Sequence, residues 1–153
     1  MVGDKDWIDV LSALLTPIIA FLAVGIAVLQ WKINRNRLKH ELFDRRYEQY
    51  EAVQKFLGSI FRSGKVSIEA QSDYMSGIVG IEFTYSKELK SYLHKNVWCP
   101  AIDLECTQAE FDGLMAGDER SALVRKAADI KIKLGEEMDR IDDVFRPYLH
   151  LGH

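Results

Sequence analysis

The sequence predicts an all-α protein: an N-terminal transmembrane helix continuing into a cytoplasmic antiparallel helical bundle of about four helices. Three observations predict it. Val10 to Trp31 is an uncharged run of Leu, Ile, Val, Ala and Phe. The chain after it carries apolar residues at helical rather than alternating spacing. Glycines and capping serines divide that chain into helix-sized pieces. At 153 residues there is room for one domain and an anchor. The expected division is a tail over 1–7, a span over 8–31 and a helical domain over 32–153.

The uncharged run reaches roughly 33 Å as a helix, the thickness of a bilayer's hydrocarbon core. Trp7 and Trp31 bracket it as interfacial aromatics do. Pro17 is tolerable in its first third. The residues before it include Asp4 and Asp6 against Lys5, and a basic cluster follows it directly. That is a stop-transfer pattern rather than a cleaved signal peptide. A buried core helix of this length would be the other reading of the same run. Lys32, Arg35, Arg37 and Lys39 form a basic collar at the membrane surface. By the positive-inside bias they place the N-terminus outside and the C-terminus in the cytoplasm, across a bacterial inner membrane.

Around the span, Asp9, Ala13, Thr16, Ala20, Ala23 and Ala27 fall within about 80° of one another, and Asn34 continues the stripe. Small residues on one side let helices approach closely in lipid, so this stripe is expected to make the span self-associate.

Apart from Gly25, nothing from Ile18 to Leu57 breaks a helix, so the span is expected to run on into the domain. There Leu38, Leu42, Phe43, Tyr50, Val53, Phe56, Leu57 and Ile60 share an arc of about 140°, the apolar face of an amphipathic helix. Glu41 and Arg45 are spaced to pair on the wet side, and Gly58 and Gly64 bracket the helix end. A second helix starts at Ser67 as cap with Ile68, Tyr74, Met75 and Ile78 inward; Gly77 and Gly80 weaken its end. Residues 78–85 have a strand-like composition but no partner segment. Ser86 caps a third helix bearing Leu89, Tyr92, Leu93 and Val97. Pro100 interrupts or kinks it, and Ile102, Leu104, Ala109 and Phe111 continue on a new axis. After the turn at Gly113 and Gly117 comes the clearest helix. Leu123, Ala127, Ile130, Leu134, Met138, Ile141, Phe145 and Tyr148 step by three and four, and Pro147 stops it. The acidic Glu136, Glu137, Asp139, Asp142 and Asp143 read as its solvated face.

Charge and motif content exclude several functions. Residues 32–46 hold six Lys/Arg against two Asp/Glu, whereas from Ala101 onward seven face twelve. Without a continuous basic face, nucleic acid is not an expected partner; the bilayer is. Cys99 and Cys106 are too far apart along a helix for a disulfide and lack a third ligand for zinc, so both read as reduced and partly buried. His40, His94, His150 and His153 have no metal-like spacing and read as surface residues. No phosphate loop, nucleophile elbow or catalytic carboxylate pair is present. The expectation is therefore no enzyme, no metal and no cofactor.

One residue breaks the apolar pattern. Arg46 falls near the middle of the arc, and an unpaired buried guanidinium is too costly to leave alone. A carboxylate from Glu82, Asp139 or Asp142 is the expected partner; an anion-binding arginine in a cleft is the alternative. Arg45, Arg46, Tyr47 and Tyr50 are on this reading the candidate ligand- or partner-binding residues.

The segments Leu29-Gln30-Trp31 and Leu38-Lys39-x-Glu41-Leu42-Phe43-Asp44-Arg45-Arg46-Tyr47-x-x-Tyr50-Glu51-Ala52 resemble a group of small bacterial membrane proteins without an assigned activity. Glu82-Phe83-Thr84-Tyr85-Ser86 and Val144-Phe145-x-Pro147-Tyr148-Leu149 extend the resemblance over most of the chain. It implies a single-pass anchor with a helical cytoplasmic domain, and it makes Arg45, Arg46 and Tyr47 part of the group's pattern. The functional expectation is a membrane-anchored, non-enzymatic interaction or sensing module that self-associates and meets a cytoplasmic protein or small-molecule signal. The competing expectation is a gated membrane-disrupting effector of a bacterial defence or stress system, with Asp9, Thr16 and Asn34 facing a pore.

Overall fold

The computed structural model describes the backbone of residues 3–149 and the side chains of Leu15 and of residues 17–149. Within them every regular element is helical and there is no strand. The elements are α1 (Gly3–Ser63), α2 (Ile68–Gly77), α3 (Ile81–Thr84), α4 (Lys87–Leu93), a π-helical turn (His94–Trp98), α5 (Cys99–Asp112), α6 (Asp118–Phe145) and a final 3-10 turn (Arg146–Tyr148). The chain divides after Glu41 into two units.

The first unit is the N-terminal part of α1. It holds Pro17 inside the helix, and every side chain described from Pro17 to Glu41 is exposed. Ile18, Phe21, Leu22, Val24, Ile26, Val28 and Leu29 are all more than half exposed, with Phe21 at 80%. A core helix of a water-soluble chain would bury such a row, and none of its described side chains is buried within this chain. By length and composition it is able to cross a membrane. At its polar end the Arg35 guanidinium lies 5.6 Å over the Trp31 ring, and Arg37 bonds Glu41 at 2.8 Å.

The second unit is built around one apolar core. Val53, Phe56, Leu57 and Ile60 of α1 meet Leu89 and Leu93 of α4, Val97, Ala101 and Leu104 around the π-turn and α5, and Ala127, Ile130, Leu134, Ile141 and Phe145 of α6. The three-and-four spacing along α6 thus buries the face expected of it. The arc on α1 is buried only from Gln49 onward; Leu38 and Leu42 are exposed, at 69% and 43%. Nor do Glu41 and Arg45 pair, since Glu41 takes Arg37 and Arg45 takes Glu48. Gly58 sits inside α1 rather than at its end. The helix stops five residues later, where Gly64 adopts φ +72° and donates its N–H to the Ile60 carbonyl.

Ser67 caps α2 by accepting from the Ala70 N–H, and Ser86 caps α4 by accepting from the Leu89 N–H. The inward face of α2 differs from expectation. Tyr74 is buried, but Ile68 and Met75 point outward. The reason is the roll of α2, set by Gly77: a Cβ there would lie 2.4 Å from the Ala52 Cβ. Backbone contact at that point turns the line Ala70–Tyr74–Gly77 toward α1 and leaves Ile68 and Met75 to water. Residues 78–85, strand-like in composition, form the short α3 and its flanking turns, with Gly80 at φ +75°.

Pro100 does not interrupt the helical backbone, which runs on from α4 through the π-turn into α5. The backbone stays right-handed helical through Leu93, Trp98 and Cys99, and the Cys99 N–H bonds the His94 carbonyl five residues back. The wide turn ahead of the proline absorbs the missing N–H and the ring's clash with the preceding turn. One buried line then runs through Leu89, Leu93, Val97, Ala101, Leu104 and Gln108, and Ala109 is exposed. Cys99 and Cys106 are free, as expected, but both are exposed rather than partly buried.

Candidate functional site

Arg46 is the first residue of the anticipated site to be placed, and its partners are not carboxylates. Its Nε donates to the Thr84 carbonyl at 2.8 Å and its Nη1 to the Tyr148 carbonyl at 3.0 Å. The guanidinium also lies 5.5 Å over the Tyr85 ring, whose hydroxyl returns a 2.7 Å bond to the Arg46 carbonyl. Thr84 ends α3 and Tyr148 ends the last 3-10 turn. Their carbonyls are among those a helix end leaves without an internal donor. A cation donating there satisfies both. The three expected carboxylates are otherwise placed. Glu82 holds Lys90 at 2.8 Å, Asp142 accepts from Tyr50 and Gln54, and Asp139 is exposed. The Lys90 bond, with the Glu82 N–H, holds the Glu82 carboxyl below its ordinary range.

Gln49, one turn from Arg46, completes this node and is fully buried. Its amide donates to the Val79 carbonyl at 3.1 Å and accepts from the Thr84 hydroxyl. The sequence contained a signal for it, because position 49 lies three residues after Arg46 and four before Val53, on the same arc. A polar side chain there has to find buried partners.

The other anticipated binding residues each have contacts of their own. Arg45 forms an exposed ion pair with Glu48 at 3.4 Å. Tyr47 is about half exposed and its ring stacks on Phe43, with centroids 6.2 Å apart. Tyr50 packs edge-on against Phe145 and donates to Asp142 at 2.8 Å. Burial, then that carboxylate, raises the Tyr50 pKa. Of the four, Arg46 ties α1 to α3 and the C-terminal turn and Tyr50 ties it to α6, whereas Arg45 and Tyr47 contact residues of α1 itself.

The acidic face of α6 is also not wholly solvated. Glu137 is largely buried and accepts the Tyr92 hydroxyl. Burial and the Glu137 carboxylate push the Tyr92 phenol from 10.0 up to about 12. A raised folded-state pKa means that the stability linked to this phenol is intact below pH 10 and lost as the pH rises toward 12. Tyr92→Phe is therefore expected to flatten the alkaline fall in stability over that window. Denaturant titrations at pH 9 and pH 11 check it, and equal losses in both proteins would count against the assignment.

One groove in this unit, of about 470 Å³, lies between α1 and α2. Glu48, Glu51, Lys55 and Asp73 line its rim and Phe56 and Tyr74 its floor. Tyr74 stacks between Phe56 and Trp98, at 4.5 and 5.7 Å, and burial raises its pKa. None of Arg45, Arg46, Tyr47 or Tyr50 lines the groove.

In the first unit the collar residues Lys32, Arg35, Arg37 and Lys39 are exposed, as are Ala20, Ala23, Ala27 and Asn34 of the stripe. The side chains of Asp9, Ala13 and Thr16 lie outside the described residues, as do His150 and His153. Among the described residues no three His, Cys, Asp or Glu side chains converge to hold a metal ion. No protein-family model matches the chain, and no curated protein or solved structure matches it.

Proposed function

We propose that this chain is a single-pass membrane-anchored, non-enzymatic helical module that acts by interaction or sensing and self-associates through its span. One observation carries the reading: from Pro17 to Leu29 the apolar side chains are uncovered. Each large aliphatic or aromatic left in water forgoes roughly 1.5–3 kcal/mol, and a bilayer removes that cost for the whole row at once. The exposed collar Lys32–Lys39 supports a cytoplasmic position for the second unit. The uncovered line Ala20, Ala23, Ala27 and Asn34 supports contact between spans. A core tied together by Arg46 and Gln49 would present its outer surfaces to a cytoplasmic partner or signal as one rigid body. The residues quoted above for the resemblance to small bacterial membrane proteins agree with this reading.

The test is residence in the membrane. Expressed in bacteria, the full chain is expected to stay with the membrane fraction through alkaline carbonate washing. Ala23→Arg, with Val24→Arg added, places two cations at mid-span at roughly 2.5–3.5 kcal/mol each and is expected to release it. Recovery of the unaltered chain in the soluble fraction would overturn the proposal.

A further inference from the structure

The π-turn between α4 and α5 brings together two chemically reactive side chains. In an α-helix, residues five apart point about 140° away from one another. Here the Cys99 N–H bonds the His94 carbonyl, and that wider turn stacks residue 99 over residue 94. Cys99 Sγ consequently lies 3.6 Å from His94 Nε2. Both residues are exposed. Such single π-turns inside helices are often found at functional positions. Cys106 provides a built-in comparison. It is an exposed thiol on the same helix, and among the described residues no imidazole stands beside it.

From this pairing we infer that Cys99 is a thiol modification site, in which His94 serves as proton acceptor and a low-molecular-weight disulfide is the co-reactant. With its other ring nitrogen protonated, Nε2 stands within reach to take the Sγ proton as the sulfur attacks. The thiolate attacks one sulfur of the disulfide. A new S–S bond to Cys99 forms as the old one breaks, and the departing half leaves as a thiolate with the bonding pair. The Cys99 sulfur is oxidised and the departing sulfur reduced, so no further oxidant is needed. Thiolates beside an imidazolium are the reactive ones, whereas an isolated exposed thiol is mostly protonated at neutral pH. Neither residue belongs to the Arg46 node or to the apolar span, so the inference stands whether or not the proposed function does.

The experiment uses the full chain in detergent micelles at pH 7, with oxidised glutathione as probe and intact mass as readout. Cys106→Ser leaves Cys99 alone and Cys99→Ser leaves Cys106 alone. Cys99 is expected to form its mixed disulfide at least about tenfold faster than Cys106. His94→Gln keeps a hydrogen-bonding group at the position but cannot become a cation, and is expected to lower the Cys99 rate to that of Cys106. Equal rates at the two cysteines, or a Cys99 rate that His94→Gln leaves unchanged, would overturn the inference. His94→Ala repeats the comparison with no hydrogen-bonding group, and the same two outcomes decide it.

Discussion

Arg46→Ala is expected to lower the stability of the second unit by about 2–4 kcal/mol, because each lost bond to a charged donor is worth roughly 1.5–3 kcal/mol. The substitution leaves the Thr84 and Tyr148 carbonyls without their donors in a half-buried place. It also removes the cation from the face of Tyr85. For a domain of this size the melting temperature should fall by roughly 8–16 °C, at about 4 °C per kcal/mol. Arg46→Lys should recover only a fraction, since an ammonium lacks the planar fork that reaches two carbonyls at once. Arg45→Ala is the control. It breaks only an exposed i,i+3 pair with Glu48, and its effect should stay within about 0.5 kcal/mol. A thermal melt of the full chain in detergent distinguishes these cases, and near-equal shifts for Arg45→Ala and Arg46→Ala would refute the capping role.

Gly77→Ala should also destabilise, against the usual direction. At an ordinary helical position alanine improves on glycine by roughly 0.5–1 kcal/mol. Here the added methyl would lie 2.4 Å from the Ala52 Cβ, a separation that two carbon atoms do not tolerate. Either α2 moves off α1 or the helix backbone shifts, and overpacking of this kind costs about 1–3 kcal/mol. The fault is in one contact, so it has one specific remedy. Ala52→Gly alone should destabilise by about 1 kcal/mol through helix propensity. Combined with Gly77→Ala it should restore most of the lost stability, giving a coupling of about 1 kcal/mol or more in a double-mutant cycle. A neutral or stabilising Gly77→Ala would show that α2 does not approach α1 so closely.

These two expectations rest on the features least legible in the sequence. Arg46 stood out as a cation on an apolar arc, and that much was readable from spacing. Its partners were not, because carbonyls at helix ends carry no side-chain signature, whereas carboxylates such as Glu82 and Asp142 do. Gln49 was readable by the same geometry, yet a neutral amide raises less alarm than a guanidinium. Gly77 looked like a weak helix end; only the position of Ala52 on another helix turns it into a contact. The roll of α2 depends on that contact, which is why Ile68 and Met75 face water although their spacing from Tyr74 and Ile78 suggested a core. Pro100 suggested a break, since intrahelical rules count its missing bond. They do not count the buried line from Leu89 to Gln108 that favours keeping one helix. That same widened turn created the His94–Cys99 pair, which no spacing rule for α-helices would have brought together.

By itself, the sequence determined the all-helical class, the long apolar N-terminal helix, the two serine caps and the buried face of α6. Each depends on residues close together in the chain, through hydrogen bonds and periodicity that a window of a few turns contains. The tertiary structure alone decided which carbonyls Arg46 satisfies, how α2 lies on α1, and which groups Gln49 and Tyr50 meet. Those outcomes depend on residues far apart in the chain, 102 positions in the case of Arg46 and Tyr148. Their energies come from desolvated polar groups and steric approach, which exist only after the helices have met.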